Sequence, residues 1–258
     1  MFEYTPRITK NIIIINIFLF VVSYFTPVDL VTLLGGFYPD SVNFKPYQVI
    51  SHMFMHGGLF HIFFNMYILY MFGAIVERTL GEKKFFILYS LGGLGSFLLF
   101  NFVNYIELND YKEILLAQGV DFDKLNLYSK LDFRFKSSGE ILSNSFNSWI
   151  ATLPKGVDLN IAQKWFVGVT NPMVGASGAI SSVMIAFAVL FPDAKLQLIF
   201  PPISFKAKYL IPITIGLDLY LGLKNNPGDN IAHFAHIGGA ITGLILSFIW
   251  KKNQFRIN

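Results

Sequence analysis

The chain reads as a series of charge-poor apolar runs separated by short polar breaks. Six runs stand out, roughly over residues 11–27, 59–75, 85–106, 175–191, 209–223 and 231–250. "NIIIINIFLFVVSYF" (11–25) and "FFILYSLGGLGSFLLFNFVNYI" (85–106) hold no charged residue. A bilayer-spanning helix needs roughly 20 mostly apolar residues, which is what such runs provide. The breaks, "HGG" at 56–58, "GEKK" at 81–84, "FPDAK" at 191–195 and "NNPGD" at 225–229, are turn and helix-end chemistry. The pattern predicts an all-α membrane protein with six transmembrane helices. The first run follows Arg7 and Lys10 as a signal peptide would, but "SYFTPVD" offers no small-x-small cleavage site, so a retained helix is expected.

Composition agrees with that reading and narrows the chemistry. Apolar residues make up 53% of the 258 positions and charged residues 14%, against roughly 25% charged in a soluble domain. Cysteine is absent, which excludes disulfides, a thiolate nucleophile and cysteine metal sites. The formal charge of +4 comes from scattered basic residues at the ends of runs, so no nucleic-acid partner is expected.

Lys and Arg orient the helices. With the N-terminus inside, Arg7, Lys10, Arg78, Lys83, Lys84, Lys195, Lys206, Lys208, Lys251, Lys252 and Arg256 all fall on the inner side. Only Lys45 and Lys224 fall in short outer loops. Both termini are therefore expected in the cytoplasm. One long polar loop, 107–164, lies on the outer side between the third and fourth helices. Its short apolar clusters ("EILLAQ", "SWIATL") predict small amphipathic helices within an insertion, the whole of 1–258 forming one domain.

Polar groups inside membrane spans are costly and normally face the protein interior. Three sets occur here. The second span carries His61 and Asn65 at i and i+4, on one helix face. The fourth opens with "GASGAISS", and the sixth with "IAHFAHIGGAITG". All three spans run from outside to inside, and each polar set lies near the outer end, so His61, Asn65, Ser177 and His236 are expected at similar depth. Gly175, Gly178 and Ser182 can face Gly239, Gly243 and Ser247, because small residues let membrane helices approach closely. That approach would bring Ser177 Oγ to a His236 ring nitrogen. A serine hydroxyl needs an adjacent base to act as a nucleophile, and histidine is suited to the task. No acid lies near either motif in sequence, so the expectation is a Ser–His dyad. The Ser177 amide at a helix N-terminus, His61 and Asn65 are candidate donors to an oxyanion.

The remaining polar residues read as structural. His52 and His56 share an i, i+4 spacing but lack a partnering HExxH glutamate, so no metal site is expected. His233 is placed at the outer mouth, and Asp218 is paired at the interface with Lys224. Glu77 and Arg78 close the second span at the inner surface.

The blocks "HMFMHGGLFHIFFNMYILYMFGAIVERTLG", "GASGAI" and "AHIGGAITG" resemble the signature blocks of the rhomboid intramembrane serine proteases, in order and direction. The resemblance implies a six-helix rhomboid bundle of bacterial type, with Ser177 as nucleophile and His236 as general base. His61, Asn65 and the Ser177 amide would form the oxyanion hole, supported by Gly175, Gly178, Gly239 and Gly243. It further implies cleavage of single-span membrane proteins near the outer end of their helix, with no cofactor, and a fifth helix that moves to admit substrate. Three departures accompany it. Ser181 stands where many relatives have an aromatic residue on the catalytic histidine, leaving Phe234 or Phe187 to hold that ring. Tyr47-Gln48 replaces Trp-Arg in the first loop, and the 107–164 loop is long.

Two other classes compete. A catalytically silent, client-binding relative would lack the serine or the histidine, and both are present. A transporter would spread polar groups through the bilayer depth, whereas here they cluster in the outer third. The expected location is the bacterial inner membrane, with the site facing outward.

Overall fold

The computed structural model describes residues 5–132, 139–197, 203–224 and 231–254. The expected turn at 225–229 and the inner-side cation Arg256 lie outside these residues. In chain order, α1 spans Arg7–Phe25, α2 Leu30–Leu34, α3 Gln48–Ser51, α4 Leu59–Ile68 and α5 Ala74–Leu80. A wide π turn over Leu69–Gly73 carries α4 into α5. Next come α6 Glu82–Ala117, α7 Phe122–Ser129, α8 Gly139–Ile150, α9 Leu159–Thr170 and α10 Ser177–Leu190. An antiparallel pair, β1 Lys195–Gln197 and β2 Ser204–Lys206, precedes α11 Ala207–Lys224 and α12 His233–Gln254. That hairpin was not foreseen, because three-residue strands leave no alternation to read.

Four helices among the described residues are long and apolar enough to cross a membrane: Arg7–Phe25, Leu59–Leu80, Glu82–Ala117 and His233–Lys251. The other two expected spans are helical but do not qualify by length and composition. With its 14 residues α10 reaches about 21 Å, against a hydrocarbon core of about 30 Å. α11 carries Lys208, Asp218 and Lys224, and contains Pro212. The apolar surface has the character of a lipid-facing one. Phe60, Phe63, Phe64 and Tyr67 are exposed on α4, and Leu244, Ile245, Phe248 and Ile249 on α12, more contiguous oil than a soluble monomer displays.

The chain gathers into two compact units. The first comprises 1–18, 58–100 and 175–258. At its centre α10 is buried almost all round, including Gly178–Val183 and Ile185–Ala188, as expected of a helix surrounded by others. Small residues allow the close fit. A Cβ on Gly239 of α12 would collide with the Gly178 carbonyl, and one on Gly243 with the Ser182 carbonyl. The Ser247 hydroxyl bonds instead within α12, to the Gly243 carbonyl at 2.6 Å.

The same unit contains a buried carboxylate with a structural task. Glu77, 2% exposed, accepts from the Ile8 and Thr9 amides at 2.8 and 2.7 Å and from the Thr9 hydroxyl at 2.7 Å. These amides belong to the first turn of α1, where no intrahelical acceptor exists. Removing the carboxylate orphans all three donors. Glu77→Ala is therefore expected to destabilise the protein by about 3 kcal/mol, read as a lower thermal unfolding midpoint in detergent; an unchanged midpoint would contradict the assignment.

The second unit comprises 19–57 and 101–174. The described residues of 107–164 are largely helical, and α6 runs eleven residues past the expected end of the third span at Ile106. Its polar tail contains no Gly or Pro before Gly119, whose φ of +80° ends it. Leu108, Leu115, Leu125, Trp149, Ala162 and Phe166 build a core of their own. His52, 1% exposed, sets its Nδ1 2.9 Å from the Gln48 carbonyl. Burial pushes its pKa down to about 4 from 6.5. Between those values the unfolded chain takes up a proton that the folded one refuses, so stability falls as pH drops through this window. The full loss is about 3 kcal/mol. The unfolding midpoint should fall between pH 7 and pH 4, and His52→Asn should flatten that dependence.

Candidate active site

The serine picked out by the "GASGAI" motif is the first residue of α10, and Ala176 before it supplies no side-chain cap. The first α10 amides, that of Ser177 included, thus lack an intrahelical acceptor and sit at the positive end of the helix dipole. Two residues upstream, Gly175 has φ +119°, in the region that favours glycine. Space demands glycine there as well. A Cβ would lie 2.7 Å from His61 Nε2 and 3.7 Å from Ser177 Oγ. His61 therefore presses its ring into the backbone turn that presents the serine. Gly178 faces Ser96 of α6, which a Cβ would strike, and also meets α12 as expected, through the Ala235 carbonyl and Gly239; Gly175 serves His61 instead.

His236, in the first turn of α12, points Nε2 at Ser177 Oγ across 2.9 Å. Its other nitrogen, Nδ1, is 3.2 Å from Asp218 Oδ1. The same oxygen lies 2.7 Å from His233 Nδ1. This differs from the sequence expectation on two counts. An acid does stand beside the serine and histidine, and its partners are histidines rather than Lys224. The sequence held one usable signal: Asp218 lies about two turns from the outer end of its span, the depth assigned to His236. Reading proximity along the chain rather than by depth hid it.

His61 and Asn65 share one face of α4, with Asn65 only 5% exposed. The Asn65 amide makes no side-chain hydrogen bond among the described residues, so its donors remain available. The aromatic residues expected to hold His236 are engaged elsewhere. Phe187 packs edge-on against Phe72 at 4.9 Å and tilted against Phe191 at 5.3 Å, and Phe234 lies over Gly222. Ser181 turns its hydroxyl back to the Ser177 carbonyl at 2.9 Å. The ring of His233 stands edge-on to that of His236 at 6.4 Å.

Asp218, His233 and His236 also offer three metal-type ligand atoms within 4.8 Å of one another. Two ligands of one zinc ion sit roughly 3.3 Å apart, given bonds of about 2.0 Å in a tetrahedron. The 2.7 Å between Asp218 and His233 is hydrogen-bonding distance and too short for that. The trio reads as a hydrogen-bonded acid between two imidazoles.

Comparison with known proteins agrees with the motifs. A family model described as a rhomboid domain matches residues 43–107 and 138–253, omitting much of the 107–164 segment. The chain is 26% identical over 215 residues to "Presenilin-associated rhomboid-like protein A, mitochondrial" of Danio rerio, covering 80% of this chain and 39% of that protein. The human protein of the same description, without the letter, is 25% identical over 210 residues, covering 78% and 38%. "RHOMBOID-like protein 12, mitochondrial" of Arabidopsis thaliana is 25% identical over 228 residues, covering 87% and 53%. The chain thus spans under two fifths of the length of the presenilin-associated relatives it matches. These relatives are mitochondrial, which runs against the bacterial inner membrane expected from the sequence. With its membrane-type helices, its three motif blocks and a domain match over most of its length, the chain is a multi-pass membrane protein of the rhomboid family.

Proposed function

We propose that the chain is an intramembrane serine endopeptidase with Ser177 as nucleophile and His236 as general base. The observation that carries this reading is the 2.9 Å contact between His236 Nε2 and Ser177 Oγ at a helix N-terminus. In the reaction, Ser177 Oγ attacks the scissile carbonyl carbon while its proton passes to His236 Nε2. The oxyanion takes hydrogen bonds from the Ser177 amide, His61 and the Asn65 amide; one such donor is worth roughly 3 kcal/mol of barrier. His236 then protonates the leaving amine, and a water activated by the same imidazole hydrolyses the acyl-enzyme.

The substrates of this reading are single-span membrane proteins, cut near the outer end of their helix, and no cofactor takes part. Six spans with both termini on the inner side follow from the distribution of Lys and Arg. The bilayer concerned, bacterial or mitochondrial, is a matter for fractionation. A client-binding protein without activity is disfavoured, because such a protein has no use for a serine hydrogen-bonded to a histidine.

The test is reconstitution in liposomes with a single-span substrate, and mass spectrometry of the products. Two fragments divided within the outer third of the substrate helix support the proposal; an intact substrate would sink it. Asn65→Ala should lower the cleavage rate by about 10-fold or more without abolishing it, since other donors remain. An unchanged rate would remove Asn65 from the oxyanion site.

A further inference from the structure

We infer that Asp218 is a positioning residue for His236, so that the site works as a Ser–His–Asp relay with its carboxylate divided between two histidines. The inference rests on the proposed roles of Ser177 and His236. Its ground is the donor and acceptor logic of the cluster.

An ionised carboxylate can only accept hydrogen bonds. Asp218 Oδ1 lies 2.7 Å from His233 Nδ1 and 3.2 Å from His236 Nδ1, so both rings carry their proton on Nδ1. A neutral imidazole protonated on Nδ1 has a bare Nε2. The bare nitrogen of His236 is the one that faces Ser177 Oγ at 2.9 Å. Asp218 thereby selects the tautomer in which His236 accepts the serine proton. When that proton arrives, the ring becomes an imidazolium with the carboxylate already beside it. In a serine protease triad the acid performs this pair of tasks.

The location adds to the argument. Asp218 and His236 are 20% and 18% exposed, enough to sit at a water-accessible site yet sheltered from full screening. His233, 5% exposed, holds the same carboxylate oxygen with the shorter contact. Among the described residues the other ionisable group that interacts with this cluster is His61 of α4, through His236, and no Lys or Arg joins it. Among the described residues no second acid competes for the role.

The test combines kinetics with a direct reading of the tautomer. Asp218→Asn is expected to lower kcat about 100-fold with KM unchanged. That is less than the roughly 10⁴-fold cost of the wrong tautomer in a fully buried triad, since Asp218 is partly exposed and shared. Asp218→Glu, which keeps an acceptor, should recover part of the rate, and His233→Gln should cost less than 10-fold. In a His236→Ala background Asp218→Asn should change nothing further, because groups acting as a unit are not additive. A purely structural carboxylate would instead add its loss in that background. Nitrogen-15 spectra of histidine-labelled wild-type protein read the proton position without any substitution at Asp218. The inference expects Nδ1–H on His236, and an Nε2–H tautomer would overturn it, as would wild-type kcat in folded Asp218→Asn. Inactivity of the wild type itself would strike the proposed protease function rather than this assignment, because the tautomer is read independently of turnover.

Discussion

Ser177→Ala is expected to abolish cleavage of a reconstituted single-span substrate, lowering kcat by about 10⁴-fold or more while leaving the protein folded. Loss of a nucleophile in a serine protease costs about 10⁶ in kcat, and the residual rate belongs to binding and the oxyanion donors. The substitution removes one oxygen, and the structure shows what that oxygen does. It is bonded to His236 Nε2 and does not cap α10, whose preceding residue is Ala176 with no side-chain cap bond. Helix capping is therefore untouched, and the unfolding midpoint should move little. His236→Ala should match it in rate, since nucleophile and base act together, but should lower the midpoint somewhat because Asp218 loses a partner. Cleavage retained by Ser177→Ala would exclude the serine as nucleophile.

The second large effect is on folding. Gly239→Ala is expected to destabilise the protein by about 3 kcal/mol, the upper end of ordinary overpacking. The added methyl meets the backbone carbonyl of Gly178, and a carbonyl in the first turn of a buried helix cannot swing aside as a side-chain tip can. Relief requires α10 or α12 to shift, and Gly178 adjoins Ser177, so activity per folded molecule should fall as well. Gly216→Ala is the matched control. It lies inside α11 with nothing within 4 Å of the new Cβ, so it should be neutral or stabilise by up to roughly 1 kcal/mol through helix propensity. Equal midpoints for the two variants would contradict the close contact between α10 and α12.

Much of this architecture was legible because a membrane makes sequence patterns strict. Charge-free runs of 15 residues or more announce helices, and α1, α4 with α5, α6 and α12 appear where hydropathy put them. The ends were less readable. α6 continues past Ile106 to Ala117 because polar helix formers such as Glu107 and Lys112 carry no stop signal, and hydropathy measures oil rather than helicity. The small-residue motifs foretold that α10 and α12 approach closely, but not that Gly175 would serve His61. Both that contact and the Asp218 bonds join residues far apart along the chain, with no spacing rule connecting them. Ser181 illustrates the same limit. Its identity raised the question of what holds His236, but the answer sits on α11.

Reaction of the purified wild-type protein with a fluorophosphonate, followed by peptide mapping of the adduct, tests the proposed chemistry most directly. Such a reagent reports an activated serine hydroxyl without requiring the natural substrate. The site described here predicts a single adduct on Ser177, lost in Ser177→Ala and nearly lost in His236→Ala. An adduct on another serine, or none on folded protein in a bilayer, would contradict it.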